Sequence, residues 1–140
     1  MKKIILNKCF GGFDVSEKAY KLYAKKKGLD LFKYKYTFEN SKVIYKYGNE
    51  EDLFAVFFTK DFGDNVEISD KDYEKYCLSL RSEKREDETL IEVIEELGKE
   101  ASGRFGKLEV LEIPDDAFYV IEEYDGAETL YYSKTEILSK

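Results

Sequence analysis

The segment with the clearest potential for binding chemistry runs from Lys2 to Ser16 and reads KKIILNKCFGGFDVS. A short apolar strand is followed there by four residues, two adjacent glycines and the start of a helix. Adjacent glycines allow positive φ and close approach of the backbone to a ligand, and N–H groups at such a corner attract anions. The residues predicted to bind a phosphate-bearing ligand at this corner are Asn7, Lys8, Cys9, Gly11 and Gly12.

The alternative interpretation of this corner is a tight turn whose glycines only avoid backbone strain. Two glycines are much less specific than a P-loop or a dinucleotide-binding fingerprint. The sequence alone therefore leaves both interpretations open.

Further candidate ligand residues lie later in the chain. Arg104 follows a predicted helix end and could bind a phosphate bidentately. Four tyrosines alternate on two predicted strands, where they could stack on a flat ligand; they are Tyr34, Tyr36, Tyr45 and Tyr47. We include Arg104, Tyr34 and Tyr36 among the candidate ligand residues. A hydrophobic core or a dimer face is the alternative for the tyrosines.

The absence of histidine from the 140 residues argues against most catalytic schemes. It removes histidine-based acid–base catalysis, Ser–His and Cys–His nucleophile pairs and nearly all zinc enzymes. Without such a base, Cys9 is better interpreted as a small apolar side chain, as is Cys77. Asp115, Asp116 and Asp125 could bind a hard cation, but aspartate is also common in turns. We therefore expect no catalytic residue, no metal and no cofactor, and a protein that is not an enzyme.

The chain is acidic, with 38% charged residues and a net charge of −7. Direct nucleic-acid binding is unexpected, because it requires a basic surface. One predicted helix carries a row of glutamates: Glu92, Glu95, Glu96 and Glu100. This row is either simply solvated, or it forms a surface that imitates nucleic acid or contacts a basic host protein.

No apolar run is long enough for a signal peptide or a membrane span, and two cysteines outside a CxxC pair favour the cytoplasm.

Two amphipathic segments predict the main helices. The first covers about residues 16–27, with Ser16 as N-cap, lysines in its last turn and Gly28 after its end. The second covers about residues 88–102 and has an apolar stripe from Leu90 to Ala101. A shorter helix is predicted between residues 69 and 80, followed by a charged linker without an apolar anchor at 81–88.

Period-two alternation or continuous apolar runs predict the strands, of which the longer ones lie at 32–38, 42–47, 54–59, 107–113, 118–124 and 129–133. Turns are predicted at Asp61-Phe62-Gly63 and Asp125-Gly126, and fraying at 134–140.

We predict a single α+β domain over residues 1–140, with a mainly antiparallel sheet of about six strands and the two main helices on one face. The abundant aromatic residues predict a homodimer or higher oligomer.

Two blocks of this sequence resemble a family of small proteins encoded by tailed bacteriophages and prophages. The first block is LNKCFGGF, which starts at Leu6; the second combines LIEVIEELG, ASGR, EIPDD and EEYDG between Leu90 and Gly126. The resemblance covers both ends of the chain and not its tyrosine-rich middle. It implies a phage or prophage origin and a place in the cytoplasm of a bacterial host, and it brings no assigned activity.

A phage origin favours an effector that acts on the host, and two hypotheses follow. The first is a non-catalytic protein that binds a phosphate-bearing small molecule and sequesters a nucleotide immune signal, as an anti-defence function. The second is an acidic inhibitor, or nucleic-acid mimic, that binds a host protein. The glycine corner and the available Lys and Arg favour the first hypothesis, and the net charge of −7 motivates the second.

Overall fold

The structure is a computed structural model that describes residues 1–52 and 55–133. Contacts within the chain define two compact units: Met1–Lys27 together with the chain from Leu80 onward form the first, and Gly28–Ser79 form the second. The interpretation of residues 1–140 as a single domain stays a prediction.

The first unit contains most of the regular structure. Its elements are β1 (Lys2–Asn7), α1 (Glu17–Lys27), a 3-10 turn (Ser82–Lys84), α3 (Glu88–Leu97), a second 3-10 turn (Gly98–Ala101), β6 (Leu108–Ile113), β7 (Phe118–Tyr124) and β8 (Ala127–Ser133). The elements of the second unit are β2 (Phe32–Glu39), β3 (Lys42–Tyr47), β4 (Val56–Phe58), α2 (Asp70–Tyr76) and β5 (Cys77–Leu78). Helix α1 and strands β2, β3 and β7 lie within a residue or so of their predicted bounds.

Strand β1 lies in the core of the first unit and pairs antiparallel with β6. Its central side chains Ile4, Ile5 and Leu6 are fully buried, so both faces of the strand are covered. Ile4 and Leu6 share one face because side chains alternate along a strand, and they pack with Ile113 and Ala117. The β7–β8 hairpin supplies further apolar side chains to this cluster.

Helix α3 covers the other side of this core and also packs against α1. The apolar stripe predicted for it is confirmed, and its buried residues are Leu90, Ile91, Val93 and Ile94. Asp87 caps the helix by accepting a hydrogen bond from the backbone N–H of Leu90 at 3.0 Å. The same carboxylate accepts a hydrogen bond from the Tyr23 hydroxyl of α1 at 2.9 Å. One side chain therefore both starts α3 and ties it to α1.

Helix α3 ends earlier than its sequence pattern predicts, at Leu97 rather than near residue 102. Gly98 has φ +58° and ψ −127°, outside the helical region, and a conformation of this kind favours glycine. The chain continues as a 3-10 turn to Ala101, which is still fully buried. The apolar pattern was thus a correct indicator of burial but not of helix type.

The second unit is built around one antiparallel sheet with the strand order β3-β2-β4-β5. Strand β4 lies inside this sheet, as its continuous apolar run predicts, while Phe54 of the predicted strand is outside the described residues. Helix α2 begins after its predicted cap Ser69. It was predicted to continue to residue 80, but it ends at Tyr76 because the next two residues pair with β4 as strand β5.

The α+β class and the antiparallel strands are confirmed, but the eight described strands form three sheets instead of one sheet of about six. In the first unit, the backbone and side chain of Arg85 and the side chain of Glu128 occupy the second edge of β1. The N–H of Ile5 donates to the carbonyl of Arg85 at 2.9 Å, and the Arg85 guanidinium donates back to the carbonyl of Ile5 at 3.0 Å. The N–H of Asn7 donates to a carboxylate oxygen of Glu128 at 2.9 Å. These groups take the place of a neighbouring strand.

The hydrogen bonds of Asp87 predict that the stability of the fold depends on pH. Burial works against ionisation of this carboxyl, yet the hydrogen bonds from Leu90 and Tyr23 hold its pKa below the usual range. The unfolded chain therefore binds a proton at the Asp87 carboxyl more readily than the folded chain does. The stabilisation that ionised Asp87 gives the fold is present above about pH 4, and it is lost as the pH falls through the lower pKa of the folded state. Asp87→Ala should cost about 1 kcal/mol at pH 7 through loss of the cap.

Asp87→Asn is the matched variant, because asparagine caps a helix as well as aspartate does but does not titrate. We expect it to keep most of the stability at pH 7 and to show a smaller loss than the parent protein between pH 5 and pH 3. Urea unfolding at several pH values measures both effects. Parallel pH profiles for the parent protein and Asp87→Asn would contradict the assignment.

Candidate functional site

Three loops of the first unit meet around the side chain of Asn7, which is fully buried. Its amide nitrogen donates to the carbonyl of Cys9 at 2.8 Å and to the carbonyl of Gly126 at 2.6 Å. Its amide oxygen accepts from the N–H of Lys107 at 2.8 Å and lies 3.4 Å from the N–H of Cys9. The loops joined in this way cover residues 8–12, 103–107 and 124–126, which we call the three-loop surface. Asn7 was predicted as a ligand residue, but it holds these loops together.

The two glycines of the corner have different surroundings. Gly11 has φ +127° and its N–H donates to the carbonyl of Asp125 at 2.9 Å. A Cβ atom at this position would lie 2.6 Å from the carbonyl oxygen of Phe105, so Gly11 is needed for packing. Gly12 has φ +116°, and a Cβ atom there would meet nothing within 4 Å. The corner is a tight turn at Gly11 and remains open to an approaching ligand at Gly12.

Lys8 and Arg104 are brought onto the same three-loop surface, although about a hundred positions of sequence separate them. Lys8 pairs with the second loop, 103–107, through its backbone N–H, which donates to the carbonyl of Lys107 at 2.7 Å. Arg104 precedes Phe105, the residue whose carbonyl packs on Gly11. The side chains of Lys8, Arg104 and Lys107 are all exposed. The sequence singled out the first two and missed Lys107.

Asp14 fixes the loop that carries Arg104, a role that the sequence did not indicate. The carbonyl of Asp14 accepts a hydrogen bond from the N–H of Gly103 at 2.8 Å. Its carboxylate accepts one from the N–H of Phe105 at 3.2 Å. The backbone of Gly106 also lies against Asp14, since a Cβ atom there would be 2.9 Å from the Asp14 carbonyl oxygen. The two glycines flanking Arg104 and Phe105 permit this close contact.

Residues 8–12, 103–107 and 124–126 have an unusual composition. They contain three basic residues, three aromatic residues and five glycines, against one acidic residue, Asp125. Counted over these residues alone the charge is +2, in a chain of net charge −7. Two further carboxylates lie beside the second loop: Asp14 accepts from the N–H of Phe105, and Glu109 is 4.0 Å from the Lys107 ammonium. Phe10, Phe105 and Tyr124 are 66%, 48% and 73% exposed. Sequence reasoning missed the aromatic members, which only the convergence of the three loops brings together.

Cys9 lies at the half-buried base of this surface, where its thiol is 3.3 Å from the carbonyl oxygen of Phe10. Its backbone contributes more to the site than its side chain, since both its N–H and its carbonyl face the Asn7 amide. Cys9 therefore helps to shape the corner.

The tyrosines predicted as stacking residues belong to the second unit. Tyr34 is fully buried, and its hydroxyl oxygen lies 3.2 Å from the Asp61 carboxylate and 2.9 Å from the carbonyl of Gly63, so two acceptors share its one proton. Its ring packs edge-on against Phe58, so the core interpretation of Tyr34 is correct and no ligand can stack on it. Tyr36 is 49% exposed and contacts neighbouring rings on the same sheet.

The segment Asp61-Phe62-Gly63 borders this core, and the Asp61 side chain is exposed. The Asp61 carboxylate accepts hydrogen bonds from Tyr47 at 2.6 Å and from the N–H of Gly63 at 2.9 Å. The bond to Asp61 raises the pKa of Tyr47 to about 12, and the same bond lowers the pKa of Asp61. The carboxylate thus holds the backbone of this segment, and the chain bends at the next residues, 64–65.

An ion pair beneath the three-loop surface was also missed. Arg85 and Glu128 form two parallel hydrogen bonds, of 3.1 and 2.9 Å, and their side chains are only 15% and 7% exposed. Arg85 lies in the segment 81–88, which was predicted to be a charged linker without an anchor. The guanidinium lies 5.7 Å from the ring centre of Phe13, next to the glycine corner. A single arginine in a charged run gives no sequence signal for burial.

The glutamate row of α3 and of the 3-10 turn after it is paired with lysines. Lys3 contacts Glu95 at 2.9 Å and Lys18 contacts Glu100 at 2.8 Å. Lys26 contacts both Glu96, at 2.6 Å, and Glu92, at 3.8 Å. All four glutamates therefore face basic side chains, which reduces the negative potential of this surface.

Comparison with protein-family models, with curated proteins and with solved structures gave no match to this chain. Within the described residues, no helix is long and apolar enough to cross a membrane.

The buried ion pair leads to a prediction on stability. Glu128→Ala leaves Arg85 without its partner and Asn7 without an acceptor for its N–H, so it should lower the free energy of unfolding by about 3–5 kcal/mol. Glu122→Ala is the control, since this exposed glutamate lies on the paired strand β7, and it should change stability by no more than about 0.5 kcal/mol. Denaturant unfolding of both variants gives the comparison. A loss below 1 kcal/mol for Glu128→Ala would contradict the role given to this pair.

Proposed function

We propose that this protein is a non-catalytic binder of a phosphate-bearing small molecule, and that the three-loop surface is its binding site. The observation that carries the proposal is the convergence of Lys8, Arg104 and Lys107 on loops that a single buried asparagine joins. Cations on fixed loops need little reorganisation to receive an anion, which favours binding.

The backbone at this site adds to the proposal. Gly12 leaves open space where a side chain would stand, so a ligand can approach the main chain closely there. Arginine recognises phosphate through planar, bidentate hydrogen bonds, while lysine acts as a compact charge. Arg104 is therefore assigned the main phosphate contact, and Lys8 and Lys107 are assigned supporting charges.

The biological form of this proposal is a phage effector in the host cytoplasm that sequesters a nucleotide immune signal. It rests on the resemblance of LNKCFGGF and the carboxy-terminal blocks to phage proteins, together with the chemistry of the three-loop surface. The competing hypothesis of a nucleic-acid mimic is less well supported, because three lysines pair with the four glutamates on which it depends and reduce their negative potential.

A thermal-shift screen with linear and cyclic nucleotides tests the proposal. A ligand present at about 100 times its Kd should stabilise the fold by about 2.7 kcal/mol. Absence of a shift with every nucleotide at millimolar concentration would count against the proposed function.

Variants locate the site. Arg104→Ala should weaken binding about tenfold or more, because a bidentate charge-assisted contact is lost. Lys8→Ala should weaken it less. Lys25→Ala is the control: it also removes one exposed positive charge, but near the far end of α1. Equal effects of Arg104→Ala and Lys25→Ala would show that only net charge matters and not this surface.

Gly12→Val tests the open corner. A β-branched residue is disfavoured at φ +116° and would occupy the space left for a ligand, so both the melting temperature and the affinity should fall. The decisive measurement is affinity on the folded fraction, by calorimetry at a temperature well below unfolding. Unchanged affinity there would assign Gly12 to the turn alone.

A further inference from the structure

We propose that Phe10 and Tyr124 form a subsite for a planar ring beside the phosphate-binding cations, so that the ligand of the three-loop surface is a nucleotide and not a simple phosphate ester. This inference rests on the proposed function and names the class of molecule that the site selects. The two rings lie edge-to-face, with centroids 6.3 Å apart and an interplanar angle of 77°.

The exposure of these rings is the first argument. Phe10 is 66% and Tyr124 is 73% exposed, and their rings are in contact with each other. Contiguous exposed apolar groups mark binding surfaces more often than single exposed side chains do. The loops that carry them are held in place, since the N–H of Gly11 donates to the carbonyl of Asp125. Each ring is adjacent in sequence to one partner of this hydrogen bond, so the bond fixes their separation.

The arrangement of aromatic and basic residues is the second argument. Phe10 lies two positions after Lys8 on the first loop, and Phe105 lies between Arg104 and Lys107 on the second. The Arg104 guanidinium is 5.9 Å from the centre of the Phe105 ring. Proteins that bind nucleotides combine aromatic faces, on which bases stack, with cations that contact phosphate. A nucleotide carries both groups in one molecule.

The β7–β8 hairpin provides an internal comparison. Phe118, Tyr131 and Tyr132 are also 49–53% exposed, but they lie outside the three loops that converge on Asn7. Exposed aromatic rings are therefore common on this hairpin. Phe10 and Tyr124 differ from these other rings because they lie on the same three loops as Lys8 and Arg104. These other rings supply matched controls.

Isothermal calorimetry on the whole protein tests the subsite with two sets of probes. The first set is adenosine and guanosine 5′-monophosphates and their 3′,5′-cyclic forms, and the second is ribose 5-phosphate and inorganic phosphate. We expect at least one nucleotide to bind about tenfold or more tightly than ribose 5-phosphate. Phe10→Ala and Tyr124→Ala should each weaken nucleotide binding by about fivefold to about 150-fold, the range for loss of one stacking residue.

The same variants should leave the affinity for ribose 5-phosphate unchanged, and Phe10→Tyr, which keeps the ring, should retain nucleotide affinity. Phe118→Ala and Tyr132→Ala should bind nucleotide like the parent protein. Upfield shifts of the Phe10 and Tyr124 ring protons in NMR spectra on addition of nucleotide would show stacking directly.

Different failures are distinguishable. Equal binding of nucleotide and ribose 5-phosphate, both lost in Arg104→Ala, would overturn the ring subsite and leave the proposed function in place. No binding of any probe would overturn both. If Phe10→Ala and Tyr124→Ala abolish self-association in sedimentation experiments without affecting nucleotide binding, the two rings form a contact between copies of the chain and the subsite is overturned.

Discussion

The buried hydrogen-bond network of Asn7, Glu128 and Arg85 is the interaction on which the first unit depends. The carboxylate of Glu128 receives both the guanidinium of Arg85 and the N–H of Asn7. Taking two charges out of water is costly unless their hydrogen bonds are satisfied. Here the partners are complete, and within the described residues no buried side-chain polar atom lacks a hydrogen-bond partner. The network closes the edge of β1 and so decides where the sheet ends.

The same network supports the candidate site. The side chain of Asn7 reaches three loops at once, so the positions of Lys8, Arg104 and Tyr124 are coupled through one amide group. A recognition surface built from loops needs such support, because flexible loops lose entropy when a ligand orders them. The proposed binding site therefore consists of exposed cations and aromatic rings on loops that the Asn7 side chain holds in place.

The predicted elements were largely right where a single periodicity dominated, as in α1, β3 and β7. They failed at places where a contact distant in sequence decided the outcome. Helix α2 stops at Tyr76 because the following residues pair with β4, and α3 stops at Leu97 because Gly98 leaves the helical region. The predicted role of Tyr34 failed for a similar reason, since alternation cannot tell which face of a strand will be covered.

The sequence by itself determined the α+β class, the main helices and strands, and the tight corner at Gly11 and Gly12, because these follow from local periodicity and from the backbone freedom of glycine. Only the tertiary structure decided that Asn7 is structural, that Arg85 is buried with Glu128, and that Arg104, Phe10 and Tyr124 share one surface. The physical reason is that burial and convergence depend on pairing between residues as far apart as 7 and 128, and no local pattern encodes such a pairing.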